Sequence, residues 1–204
     1  MTQYPELNSS VIKGFVQSLL AKKFDGASKI PHFHEEWWDL CCSKEQFVAI
    51  SAPRGHAKST AITLSFILAS ILFRKHEFVI ICSGTTSTSV LFLQDIKTEL
   101  TENQQIVDLF GVKKDDSGKV KFIKETEDDL IVEFDDGHKC RLMAKGAEQK
   151  LRGLKWGSKR PDLIVGDDLE DDEQVLNKDR REKFRKWFFG ALIPARSMNG
   201  KVLS

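Results

Sequence analysis

The sequence of 204 residues has no hydrophobic run long enough to cross a membrane. Its most apolar stretch, from Ile62 to Phe73, contains three hydroxyl side chains, and a bilayer needs about 20 apolar residues. The amino terminus also lacks the basic and then apolar segments of a secretory signal. We therefore expect a soluble protein that stays in a cytoplasm and has no membrane partner.

Cysteines are few and show no metal-binding pattern. Cys41 and Cys42 are adjacent, Cys82 and Cys140 are isolated, and no pair has the spacing of zinc ligands. His32 and His34 precede Cys41, but without tetrahedral ligand spacing a surface or helix-capping position explains these histidines better than a zinc site does. We expect reduced thiols and no metal at the cysteines.

Net charge is also close to zero, because 31 Lys and Arg residues face 30 Asp and Glu residues. No overall charge indicates a nucleic-acid or membrane binder, so any such contact must come from local patches. The content of 5 Pro, 13 Gly and 41% hydrophobic residues excludes disordered, collagen-like and disulfide-scaffold classes. The chain is long enough for one globular domain with a real core.

Strand-like and helix-like patterns alternate along the chain, which predicts an α/β fold with a mainly parallel sheet. Between residues 119 and 144 the pattern changes to a β-rich insert, with a hairpin turn at Asp136-Gly137. The other predicted elements are a helix over 7–24, a second segment after Pro31, a strand over 47–52, a helix over 58–74, a strand over 78–82, a helix over 90–100, a strand over 163–166, a helix over 179–189 and a short apolar run over 201–203.

A candidate phosphate-binding loop lies between the strand over 47–52 and the helix over 58–74. Its backbone N–H groups would surround a β-phosphate, Lys58 would lie between the β- and γ-phosphates, and Ser59 would bind Mg²⁺. The usual G-x-x-x-x-G-K-[ST] pattern has glycine where this chain has Ala52 and Ala57. We expect an ordinary φ to suffice at Ala57, because this residue begins a helix. The predicted ATP-binding residues are Ala52, Pro53, Arg54, Gly55, His56, Ala57, Lys58, Ser59 and Thr60.

Carboxylates follow the apolar strand over 163–166. In a parallel sheet they would lie at the carboxyl edge, beside the phosphate loop. Asp167 is the predicted Mg²⁺ ligand and Asp168 the residue that orients the attacking water, with Glu170 as the second candidate. The acidic run could instead be a solvated loop or a two-metal nuclease site. We prefer the nucleotide interpretation, because a nuclease does not explain the segment that carries Lys58.

Basic residues flank this acidic run on both sides. They could bind a phosphate backbone, reach the nucleotide of a neighbouring subunit, or form solvated helix faces. The residues before the run are Lys145, Lys150, Arg152, Lys155, Lys159 and Arg160, and those after it are Arg180, Arg181, Lys183, Arg185 and Lys186.

Taken in order, these segments resemble the N-terminal ATPase domain of the large terminase subunit of tailed bacteriophages. The ordered motifs are IPHFHEEWWDL, APRGHAKST, FVIICSGTTSTSVLFLQDIKTEL, KLRG, RPDLIVGDDLEDDE and WFFGALIPA, followed by KVLS. The resemblance implies the three-layer sandwich of ASCE-type P-loop NTPases. It also implies a single ATPase domain over 1–204, with residues 1–45 as a helical lead-in and a nuclease domain outside this chain.

The resemblance further implies residue roles. Arg54 would be a catalytic or nucleotide-sensing cation, and Arg152 the arginine finger that reaches the neighbouring subunit's ATP. Pro31, His32 and His34 lie where the family contacts adenine, although a packing role explains them equally well.

The same resemblance implies a Mg²⁺-dependent ATPase that translocates double-stranded DNA into a procapsid. The expected partners are that DNA, a homo-oligomeric ring that is pentameric on the portal, the portal protein and the small terminase subunit, in the host cell cytoplasm. A helicase-like ATPase stimulated by nucleic acid, or an assembly module whose phosphate loop has decayed, remains the alternative.

Overall fold

The computed structural model describes residues 4–24, 29–170 and 176–204. Its centre is a seven-stranded sheet with the strand order β1-β7-β6-β2-β5-β4-β3. Neighbouring strands from β1 to β5 in this order run parallel, and β4 and β3 are antiparallel to their neighbours. The strands are β1 (Phe47–Val48), β2 (Phe78–Ser83), β3 (Lys124–Glu125), β4 (Asp129–Glu133), β5 (Lys139–Gly146), β6 (Leu163–Asp167) and β7 (Lys201–Leu203).

Helices connect the parallel strands. The helix after β1, called α3 here, begins as a π-helix over Thr60–Phe66 and continues as an α-helix over Ile67–Leu72. The helix α6 (Lys178–Trp187) likewise continues through a π segment, Phe188–Leu192. The remaining bounds are α1 (Ser9–Leu19), α2 (His32–Cys42), α4 (Thr86–Glu102), α5 (Gln104–Phe110), α6 (Lys178–Trp187) and α7 (Ile193–Ala195).

The sheet is covered on both faces, which β2 shows most clearly. Val79 and Ile81 point to a core that α1 to α5 complete, whereas Phe78 and Ile80 point to a second core under α6 and the π segment. Successive strand residues face opposite sides of a sheet, so a strand that is buried throughout must have helices on both sides. The predicted three-layer α/β architecture is confirmed.

Several element boundaries differ from the sequence predictions, and the helix predicted over 7–24 is an α-helix only over Ser9–Leu19. The strand predicted over 47–52 spans only Phe47–Val48, because β1 lies at the edge of the sheet and pairs with β7 alone among the described strands. The helix predicted over 90–100 begins earlier, because Thr85 accepts a hydrogen bond from the Thr88 amide (3.1 Å) and caps α4. The predicted hairpin is confirmed, with β4 and β5 antiparallel and Gly137 at φ +80°.

Strand β7 lies between β1 and β6 in the sheet. The strand before the candidate phosphate loop and the strand before the acidic run are therefore separated by a single strand. The chain leaves the carboxyl ends of β1 and β6 at the same edge of the sheet, since these strands run parallel. The candidate phosphate-binding loop and the acidic run after β6 therefore meet at that edge. Within the described part of the chain, no helix is both long and apolar enough to span a membrane.

Candidate nucleotide-binding site

The loop between β1 and α3 contains two residues in the left-handed region of backbone space. Gly55 has φ +85° and Ala57 has φ +53°. Our expectation of an ordinary φ at Ala57 is therefore wrong. The chain must change direction at this point to enter α3. Ala57 therefore takes a backbone conformation that glycine adopts easily but that costs an L-residue about 1–2 kcal/mol. The alanine replaces glycine in the sequence pattern but preserves a glycine-like backbone.

Two side chains of helix α2 hydrogen-bond to backbone carbonyls of this loop and of the start of α3. The Nε2 of the buried His34 lies 2.8 Å from the carbonyl oxygen of His56 in the loop. Burial lowers the pKa of His34, with the hydrogen bond to His56 opposing that shift, so the neutral ring donates from Nε2. One turn later, the Trp38 indole donates to the carbonyl of Ala61 at 2.9 Å.

The Trp38 bond meets a structural need of α3. A π-helix pairs residues five apart instead of four, which leaves some carbonyls of the ordinary helix ladder for other donors. The Ala61 carbonyl accepts from Trp38, and the Thr60 carbonyl accepts from the Ser65 hydroxyl at 2.7 Å. The start of α3, which follows Lys58 and Ser59 directly, is thus held by side-chain donors.

Lys58 meets the two carboxylates at the end of β6. Its Nζ lies 3.2 Å from Asp167 Oδ1 and 3.3 Å from Asp168 Oδ1. Burial by itself would lower the pKa of Lys58, but the charges and hydrogen bonds of both carboxylates outweigh it and raise this pKa. The ammonium is therefore charged near neutral pH and faces the space where phosphates would lie.

The two carboxylates have different surroundings. Asp167 is buried and its Oδ2 accepts a 2.8 Å hydrogen bond from the Thr63 hydroxyl, whereas the Asp168 side chain is 82% exposed. Asp168 has φ +47°, a value that aspartate tolerates better than most residues. Its carbonyl accepts from the Gly84 amide at 3.0 Å, and a Cβ on Gly84 would lie 3.1 Å from that oxygen. A glycine at the end of β2 therefore allows the turn that exposes Asp168.

A cavity of about 530 Å³ opens beside these groups. Lys58, Asp168 and the exposed Glu170 line one side, and residues of α6 line the other. A larger cavity of about 790 Å³ lies where β2 and β6 begin, at the opposite edge of the sheet from the phosphate loop. Three acidic residues of the predicted run, Asp171, Asp172 and Glu173, lie outside the described residues.

The residues present fit a magnesium ion that is held largely by phosphates and water. The Oδ1 of Asp167 is buried, faces Lys58 and accepts no well-aligned hydrogen bond from the described residues. Mg²⁺ prefers oxygen ligands and commonly takes one or two carboxylates together with substrate phosphates. No group of three or more His, Cys, Asp or Glu side chains arranged to hold a metal occurs among the described residues. The Oδ1 of Asp167, paired with the Lys58 ammonium at 3.2 Å, is thus the feature suited to the ion, rather than a protein cage.

The predicted arginines lie at the margins of this arrangement. Arg54 is exposed on the loop itself. Arg152 is exposed, its Nε donates to the Gly190 carbonyl in the π segment at 2.9 Å, and it is not among the residues that line the cavity beside Lys58. The structure thus brings Lys58, Asp167 and Asp168 together and leaves Arg152 outside the cavity lining.

Sequence reasoning missed two residues of the site, Thr63 and Trp38, and did not identify the contact that His34 makes with the loop. Thr63 binds Asp167, and its position four residues after Ser59 on one helix face is the signal that could have revealed it. His34 and Trp38 support the loop through backbone carbonyls, a role that no sequence pattern indicates. His34 uses its Nε2 inside the protein, as the packing interpretation of this residue predicts, while His32 is exposed and pairs with Glu36 at 3.0 Å.

No protein-family model and no curated protein matches the sequence. Solved structures do match. An arginine-to-alanine variant of the large terminase ATPase domain from Thermus phage P74-26 has a TM-score of 0.61 and 16% identity, over 93% of this chain and 67% of that one. The unaltered domain from the same phage has a TM-score of 0.58 and 15% identity, over 94% and 68% of the two chains.

The large terminase of bacteriophage HK97 has a TM-score of 0.59 and 14% identity, and the match covers 96% of this chain but only 36% of the HK97 chain. This chain therefore spans little more than a third of that terminase. At such low identity the likeness establishes the fold. The chain has the P-loop NTPase-type fold of phage large terminase ATPase domains.

Proposed function

We propose that this chain is the ATP-hydrolysing motor domain of a viral DNA-packaging terminase, which couples ATP hydrolysis to the translocation of double-stranded DNA into a procapsid. The observation that carries the proposal is the meeting of Lys58 with Asp167 and Asp168 within 3.3 Å, at the edge where β1 and β6 both end. The terminase-like fold adds support, because it is the fold of domains named as ATPases.

The proposed roles follow from the chemistry of each group. The loop from Ala52 to Thr60 binds the phosphates through its backbone, and Lys58 adds a fixed cation. Ser59 and Asp167 are the proposed Mg²⁺ ligands, and bound Mg²⁺ would neutralise charge on the phosphate oxygens. Asp168, exposed and close to Lys58, accepts a hydrogen bond from the attacking water, and Glu170 on the same cavity is the second candidate for this role.

The left-handed Ala57 favours this proposal over a decayed phosphate loop. A loop that has lost its ligand has no reason to keep a costly backbone conformation at that position. The strain at Ala57 is maintained in the structure together with the His34 and Trp38 bonds that support it. Strain of this kind is typical of functional sites.

Assembly forms the second part of the proposal. We propose a single ATPase domain over 1–204 that works in the host cytoplasm in a homo-oligomeric ring, pentameric on the portal, with the portal protein and small terminase subunit as partners. Arg54 acts on its own nucleotide, and Arg152, exposed and outside the lining of its own cavity, stabilises the phosphoryl group in the neighbouring subunit. Such an arginine accelerates hydrolysis by about 10³- to 10⁵-fold in other systems.

The first experiment measures phosphate release from Mg²⁺-ATP by the Lys58→Ala variant. We expect a fall of about 100-fold or more, because one preorganised cation at the reacting phosphate has an effect of that size. Lys113→Ala is the matched control, since Lys113 forms a surface ion pair with Glu133 at 2.9 Å and its loss should leave the rate unchanged. Equal rates for the two variants would refute the assignment of the site.

The second experiment tests the arginine finger by mixing Arg152→Ala with Lys58→Ala protein. In a mixed ring, an intact Arg152 from one protein completes an intact phosphate site in the other, so we expect activity above that of either variant alone. A ring verified by light scattering that shows no recovery would contradict the role of Arg152.

Translocation is tested separately. We expect DNA to stimulate the ATPase activity without strand unwinding, whereas unwinding would favour a helicase.

A further inference from the structure

Helix α6 directs one face toward the cavity beside Lys58. Arg181, Phe184, Arg185 and Phe188 line that cavity, and their spacing of three and four residues places them on a single stripe of the helix. No sequence motif attributes a role to this stripe. Within the sequence, these arginines belong to a basic cluster that resembles an ordinary solvated helix face.

The aromatic members of the stripe fix the arginines relative to the sheet. The rings of Phe184 and Phe188 lie 5.8 Å apart and pack against the core beneath α6. Trp187 is buried in the same core, and its indole donates to the Gln149 carbonyl at 2.8 Å. Asn177 caps the start of the helix by accepting from the amides of Asp179 and Arg180. The contacts of Phe184, Trp187 and Phe188 thus place Arg181 and Arg185 on the side of the helix that lines the cavity.

The charges around the cavity suit an anion with several charged oxygens. Arg181 and Arg185 lie on the wall formed by α6, and Lys58 lies on the wall formed by the phosphate loop. The exposed carboxylates in the lining, Asp168 and Glu170, lie on the segment that follows β6. Guanidinium groups present paired donors that match two oxygens of one phosphate, which a lysine cannot do.

We propose that Arg181 and Arg185 bind the terminal phosphate of a nucleoside triphosphate from within the same chain and make the site select triphosphate over diphosphate. This proposal rests on the proposed function. The loop backbone and Lys58 occupy the inner side of the site, so the phosphate that extends farthest into the cavity faces α6. A diphosphate lacks that group and makes no contact with the two arginines.

The test is calorimetric binding of a non-hydrolysable triphosphate analogue and of ADP, each with Mg²⁺, to the full chain. We expect the double variant Arg181→Gln and Arg185→Gln to lose about 100-fold in affinity for the analogue, because each hydrogen bond to a charged group accounts for about tenfold. Affinity for ADP should stay within about twofold of the unaltered chain, since ADP does not reach the arginines. The retained ADP binding also shows that the variant is folded.

Arg180→Gln is the matched control, because Arg180 is a neighbouring arginine of α6 that does not line the cavity. It should leave both affinities unchanged. An unaltered preference for triphosphate in the double variant, or an equal loss of both nucleotides, would overturn the proposal while the proposed function stands. Failure of the unaltered chain to bind either nucleotide would instead overturn both.

Discussion

The backbone of Ala57 provides a quantitative test of how the phosphate loop is built. Ala57 has φ +53°, is exposed, and its carbonyl accepts from the Ala61 amide at 2.9 Å. Replacing it by glycine removes one exposed methyl group and leaves that hydrogen bond in place. The change therefore isolates the cost of a left-handed L-residue from any loss of packing.

Two opposing effects determine the magnitude. Glycine relieves about 1–2 kcal/mol of strain in the folded state. It also gives the unfolded chain more freedom, which costs about 0.4–1 kcal/mol. The difference predicts that Ala57→Gly raises the free energy of unfolding by about 0.5–1 kcal/mol, or Tm by about 1–4 °C for a chain of this length.

The assay is urea denaturation followed by circular dichroism, with Ala52→Gly as the matched control. Ala52 is the other alanine at a glycine position of the loop pattern, but it does not have a positive φ. Ala52→Gly should therefore lower the free energy of unfolding by about 0.5–1 kcal/mol, through the unfolded state alone. If both variants lower stability by similar amounts, the left-handed strain at Ala57 and the reasoning built on it are refuted.

Two further predictions concern buried polar groups. Trp38→Phe leaves the Ala61 carbonyl without its 2.9 Å donor and should cost about 1–3 kcal/mol in urea denaturation, and a loss below the measurement error would contradict the role of this bond. Burial by itself would raise the pKa of Asp129, but hydrogen bonds from Arg141 and Lys124 outweigh it and hold that pKa below its usual value. The stabilisation from Asp129 is therefore present above the ordinary pKa of 3.8 and is lost as pH falls through the depressed pKa. Asp129→Asn should cost about 3 kcal/mol at pH 7 and less in acid, and an equal cost at both pH values would count against this ion pair.

Local sequence patterns predicted most of the framework. The apolar run that becomes β6 contains no polar residue until Asp167, so its burial and the position of the following carboxylates follow from hydrophobicity and strand direction. The hairpin at Asp136-Gly137 follows from turn chemistry alone, since Gly137 accepts a positive φ without strain. The site assignment of Lys58 beside Asp167 needed only one more assumption, that parallel strands end at a common edge.

Other features depended on contacts between distant segments. His34 binds the loop at His56 across 22 residues, and Thr63 binds Asp167 across 104 residues. Neither contact leaves a mark on the local hydrophobic pattern around the residues that form it. Sequence separation on this scale gives no periodic signal, because the pairing arises only when α2, α3 and β6 pack around the same sheet edge.

The sequence by itself thus determined the α/β class, the position of the loop that carries Lys58 and the carboxylates after β6, because each is encoded in a few consecutive residues. Only the tertiary structure decided that Ala57 is left-handed, and that Arg181 and Arg185 line the cavity beside Lys58 while Arg152 does not. The reason is physical: helix periodicity places residues on a stripe, but the packing of the whole helix against the sheet decides where that stripe points.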